Sequence, residues 1–302
     1  MQCEWRALQT RTTALVVTLQ DVVASTTSAY KVGAEFEVFL GNSDGSFAAG
    51  VTSAGLPSQS PVVAAAHNAR RVYVARQNTV AGFSLAPSGA ATLINSVAVA
   101  SGDFIAYLAV DASGDWLLTS DLGAAVIRTH RINQTTGSLG PVEQSLDVGS
   151  GPVGLAMPDN LHLVAAKPYD AALGVFSFNP ETGQVAMTRQ LSATQGGTPL
   201  VVVVADFDIP GFSLGYVVSE YYSNTLTIFA GDAAGPTVKH STVATGTGST
   251  VYCPNPFSMA ASDLDGDGKM DLVVGCVGFG NRDRPVVVLM NNGGAVFSAF
   301  YM

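Results

Sequence analysis

Apolar residues along the chain fall in strand-length runs rich in Val, Ile, Leu and Phe, and each run stops at a turn bearing Gly, Asp, Asn or Pro. Such runs, bounded by turn residues, predict β-strands. The pattern repeats. Runs at 36–40, 81–85, 128–132, 174–178, 226–229 and 286–290 precede Gly45, Gly89, Gly137, Gly183, Gly235 and Gly293, with a spacing of about 50 residues. Further apolar runs lie earlier in the units, as at 72–75, 116–119, 161–166 and 216–219. This period is close to that of a propeller blade and long for a β-helix coil, and a large β-sandwich would show no such regularity. The expected fold is therefore all-β, a single β-propeller of about six or seven four-stranded blades. One domain would cover 1–302, with blade-like segments at 12–55, 62–102, 105–149, 152–194, 198–246 and 254–302, and with residues 1–11 disordered or a truncated start.

Composition sharpens this picture. A chain that is 47% hydrophobic but only 12% charged, with 32 Gly and 14 Pro, can bury a large core yet has few charges for helix surfaces. Its net charge of −9 and lack of basic clusters argue against a nucleic-acid partner. The run at 201–205 is far too short to span a membrane, and 13–19, preceded by Arg6 and Arg11, reads as a strand without a convincing cleavage site. Three cysteines make no disulfide framework and have no zinc spacing. Cys253 and Cys276 flank one hairpin, but centring its loop on Asp267 puts Cys276 opposite Ser258, so a disulfide to Cys253 requires the chain to fold back there.

The sharpest motif is Asp263-Leu264-Asp265-Gly266-Asp267-Gly268-Lys269-Met270-Asp271, which leads straight into the apolar run 272–277. Alternate carboxylates in one loop suit a hard cation that wants six to eight oxygens, and the two glycines allow the curl. Asp263, Asp265, Asp267 and Asp271 would offer side-chain oxygens to Ca²⁺, and Lys269 its backbone carbonyl. An EF-hand needs a bidentate Glu at position twelve; here that position is Val274. A plain turn would have no reason to hold four mutually repelling carboxylates. The ion is expected to be structural.

Two family resemblances follow. Residues 263–277, with the later Leu289-Met290-Asn291-Asn292-Gly293, resemble the FG-GAP or VCBS repeat of integrin α-subunit propellers. The middle of the chain resembles lactonase-type propellers related to 6-phosphogluconolactonase, through Asp111-Ala112-Ser113-Gly114-Asp115, Asn133-Gln134-Thr135-Thr136-Gly137 and Asn179-Pro180-Glu181-Thr182-Gly183. That resemblance implies an Arg-His pair after Gly151-Pro152, where this chain has Val153-Gly154, and an acidic residue at Glu220. Read alone, Glu220 is as well explained as a solvated charge at a strand end.

Other chemistry is sparse. His67, His130, His162 and His240 fall in different units, and His130 and His162 lie inside strands, where packing or hydrogen bonding suffices. Tyr107, Tyr169, Tyr221 and Tyr222 read as core or rim packing, and Asn133-Gln134-Thr135 is a glycosylation sequon in a turn. The favoured reading is a secreted, calcium-binding interaction module for an unknown protein or glycan, with the balance against an enzyme. The alternatives are a lactonase-like hydrolase of a sugar lactone, with Glu220 as its weak catalytic candidate, and an architectural segment of a larger adhesin or enzyme.

Overall fold

The structure, a computed structural model, describes residues 2–4, 14–18, 34–40, 48–56, 62–66, 70–76, 78–99, 104–192, 197–245, 253–277 and 286–301. Strands dominate throughout. Among the described residues the helical content is a single 3₁₀ turn, Pro168–Asp170. Among the described residues, six four-stranded antiparallel sheets lie within 2–56, 62–98, 105–147, 155–192, 199–244 and 256–301, and within each the strands pair in chain order.

The turn glycines explain the hairpins. Gly89, Gly137, Gly183, Gly235 and Gly293 all take positive φ, a region that costs glycine nothing but strains other residues. Gly45 lies outside the described residues. Burial follows position in the sheet. In the sheet 105–147, strand Trp116–Asp121 is buried at every position, whereas the outermost strand, Leu139–Asp147, alternates between inward and exposed residues. An inner strand is covered on both faces and so reads as a continuous apolar run; an outer one meets water on one face.

Two compact units arise, one of residues 1–124 with 128–145 and the other of 125–127 with 146–302. In the first, Tyr73, Ile105, Leu108, Leu117 and Ile132 pack one cluster, and Val38, Val72, Val74, Ala81 and Phe83 another. In the second, Phe207, Val217, Ile228, Leu272 and Leu289 share one cluster, and Val164, Leu173, Tyr216 and Phe229 a second. Each Val, Leu, Ile or Phe among them, removed from water, contributes roughly 1.5–3 kcal/mol.

The expected count of six or seven blades is corrected to five. Five sheets, from 62 to 301, show the blade packing of buried central strands. The sheet 2–56 instead adds Val38 and Leu40 to the core of its neighbour. Turn spacing counts hairpins; a blade is defined by packed faces, which the spacing does not report.

Candidate functional site

Strand Leu214–Glu220 is buried from its second residue to its last. Glu220 closes it, paired in register with Pro199 on one side and Thr225 on the other. Its side chain is 1% exposed, so the solvated strand-end charge considered from the sequence is not what the fold produces. Neither carboxyl oxygen has a hydrogen-bond partner among the described residues. A Cβ placed on Gly197 would overlap Oε2, so the carboxyl rests against bare backbone there. Burial pushes its pKa up to about 7, with Thr227 and Lys239 as smaller opposing influences.

Comparison with the other sheets shows how unusual this is. Strand Trp116–Asp121 also ends on a buried charge, but Asp121 accepts a 2.8 Å bond from Arg128. Strand His162–Lys167 ends on Lys167, whose ammonium donates to Asp170 at 2.7 Å and Gln190 at 2.9 Å. Glu220 has the same place in its sheet and no such partner. The signal that could have found it is the repeat itself: aligned by their second strands, four units end on a charged residue, Arg76, Asp121, Lys167 and Glu220.

The segment 151–154 stitches strands. Val153 N donates to Ala166 O at 2.9 Å and Gly154 N to Leu200 O at 2.7 Å. A Cβ at Gly154 would sit 2.6 Å from Leu200 O, so this position admits no side chain, and the Arg-His pair implied by resemblance has no counterpart here.

In the acidic loop, Asp263, Asp265 and Asp267 bring one carboxylate oxygen each within 4.8 Å of the others. Gly266 N and Gly268 N donate to the two oxygens of Asp263, at 2.8 and 3.0 Å, and both glycines take positive φ. Asp271 is buried and accepts from Leu264 N and Asn291 N, both at 2.8 Å, tying the loop to the next strand. The Lys269 ammonium pairs with Asp267, which lowers the pKa of Asp267 and raises that of Lys269. Three converging carboxylates fit a hard divalent cation, with Lys269 competing for Asp267.

Cys253 and Cys276 are joined by a disulfide, with Cα atoms 5.2 Å apart. The register differs from the expected one: Cys276 faces Pro256 and Gly275 faces Ser258, because a bulge between Pro256 and Ser258 shifts the pairing. That fold-back brings Cys253 within reach.

The remaining candidates divide. His130 is buried and its pKa is lowered chiefly by that burial, His162 contacts Asp159, and His240 contacts Gly294 O. His67 lies outside the described residues. Tyr169 and Tyr222 are 74% and 73% exposed, so core packing does not describe them; Tyr222 and Phe257 both lie edge-on to Tyr221. The sequon's Asn133 accepts backbone bonds from Thr135 and Thr136 within its turn. No described helix is long and apolar enough to cross a membrane.

A family profile described as "Lactonase, 7-bladed beta-propeller" matches residues 34–171 and 107–263, and an FG-GAP repeat profile matches 255–275. The chain belongs to the lactonase β-propeller family. Among solved structures it is similar to a protein from Bacteroides uniformis provisionally described as a 6-phosphogluconolactonase, at 15% identity and TM-score 0.72, covering 97% of this chain and 83% of that one. It is also similar to the periplasmic gluconolactonase of Pseudomonas aeruginosa, at 17% identity and TM-score 0.69, covering 97% and 82%. A protein from Lactobacillus plantarum shares 17% identity at TM-score 0.68, covering 99% and 83%. Comparison with the curated proteins found no match. The family overturns the expectation of a non-enzymatic module: a lactonase-type fold with a buried, unpaired carboxyl argues for an enzyme.

Proposed function

We propose that the protein hydrolyses a sugar lactone, with Glu220 as general base. The observation that carries this reading is the Glu220 carboxyl, enclosed and unpaired in a chain of the lactonase family, with a pKa near 7. A base is most effective when its pKa lies close to the working pH. In the reaction, Glu220 takes a proton from a water whose oxygen bonds to the lactone carbonyl carbon. The ring C–O bond then breaks, and the departing alkoxide recovers the proton as the hydroxyl of the open acid.

The test is turnover of gluconolactone-type δ-lactones above their spontaneous opening. Wild type should show it and Glu220→Gln should lose about 10²–10⁴-fold. Wild-type rates equal to the spontaneous rate on both sides of neutrality would defeat the reading and turn attention to protein or glycan binding.

A structural Ca²⁺ in the loop 263–271 is favoured by the convergence of three carboxylates. The disulfide favours folding in an oxidising, extracytoplasmic compartment. Calorimetric Ca²⁺ titration of chelator-stripped protein tests the ion; absence of a binding isotherm would reduce the loop to a turn.

A further inference from the structure

The turn after Glu220 is held both from its own sheet and from the segment that leads into the next one. Tyr221 N donates to Thr198 O at 3.0 Å, and two further anchors come from Asn255, in the segment leading into the next sheet. Asn255 Nδ2 donates to Tyr221 O at 3.0 Å, and Asn255 N donates to Asn224 Oδ1 at 2.7 Å. Asn224 O accepts from both N and Oγ1 of Thr245, each at 2.9 Å, and Thr245 O accepts from Cys253 N at 3.1 Å. Asn224 and Asn255 both sit at left-handed φ, +55° and +53°, a conformation that Asn tolerates. Two residues before Asn255 stands Cys253, fully buried and bonded to Cys276 at the end of strand Asp271–Cys276. Beyond that bond, Val277 N donates to Asn255 O at 3.1 Å.

The hydrogen-bonded links from the Glu220 turn to the sheet 256–301 therefore pass through residues 253–255, beside the edge-on contact of the Tyr221 ring with Phe257. One covalent bond fixes that segment. We propose that the Cys253–Cys276 disulfide and Asn255 form a tether that positions the Glu220 turn, so that thiol reduction of this bond lowers activity at Glu220 while the sheets stay folded. This rests on the lactonase reading above for its activity arm only. In the reduction, a thiolate of a small dithiol reductant attacks one sulfur and breaks the S–S bond. The reductant's second thiol then closes its own disulfide. Cys253 and Cys276 leave as thiols, having gained two electrons and two protons. The reverse exchange restores the tether.

The experiment is amide hydrogen exchange at residues 221–224, run beside lactone turnover, on four samples. These are the oxidised wild type, the dithiol-treated wild type, the double variant Cys253→Ser/Cys276→Ser, and Asn255→Gly, which keeps the left-handed backbone and the disulfide but loses the side-chain bond. Far-ultraviolet circular dichroism checks that the strands persist. Faster exchange at 221–224 is expected in all three altered states, with kcat lower by roughly 10–100-fold, since small misplacements at a reacting centre cost rates of that order. Reoxidation should restore the first of them. Unchanged exchange at 221–224 in Asn255→Gly and in reduced protein would overturn the tether, whatever the activity shows. Should reduction unfold the sheets as a whole, the claim of a local tether is likewise overturned. Faster exchange in a protein that never turned over a lactone would leave the tether standing and remove the lactonase reading alone.

Discussion

Two buried charges show how neighbours decide a residue's role. Arg128 and Asp121 are both withdrawn from water and pair at 2.8 Å, so Arg128→Ala should leave the buried Asp121 carboxylate without a counter-charge, held among the described residues only by the N–H groups of Phe104 and Ala124, and destabilise by about 3 kcal/mol, read from denaturant midpoints. Glu220 has no equivalent partner, and its folded pKa of about 7 stands above the ordinary value of 4.5. Its proton is bound more tightly in the folded state, so stability from this group is complete below about 4.5 and is lost as pH rises through about 7. Glu220→Gln should remove that decline and leave the variant more stable than wild type above neutrality, a reversal that urea titrations across pH will show. The rate should move the opposite way, rising through the same range as the base ionises. Gly197→Ala should force the carboxyl or its own backbone aside, at about 1–3 kcal/mol, and cut turnover with it. An unchanged rate in that variant would mean that Glu220 is not held by Gly197.

At the scale of the element, the loop 263–271 was legible because its chemistry is local. Asp at alternate positions and Gly266 and Gly268 at left-handed φ specify the curl without help from the rest of the chain. Asp265→Ala with Asp267→Ala should abolish any Ca²⁺-dependent rise in the unfolding midpoint, while wild type should gain stability with free Ca²⁺ by mass action; equal midpoints in chelator and in Ca²⁺ would refute the ion. The part played by Asp271 was less visible. Its oxygens receive Leu264 N and Asn291 N, and the second of these comes from a strand 20 residues on. The same limit explains the disulfide. Counting residues back from Asp267 sets Cys276 against Ser258, and one bulge is enough to change which residue it meets.

For the whole molecule, two compact units imply unfolding that departs from a single two-state transition. The unit 125–127 with 146–302 holds both the acidic loop and the disulfide, so Ca²⁺ and reductant should shift its calorimetric transition and leave the other in place. Loss of the disulfide, which spans 23 residues, should cost this unit about 3 kcal/mol. The sequence by itself determined the all-β class, the repeat of about 50 residues, the turn glycines and the acidic loop. Each of these depends on neighbours in the chain, on side-chain alternation or on backbone freedom at one residue. Only the tertiary structure decided the number of packed blades, the division into two units and the state of Glu220. Those depend on which strands bury one another: nothing near Glu220 in sequence announces that Gly197 will cover its carboxyl, or that a segment pinned at Cys253 will hold its turn.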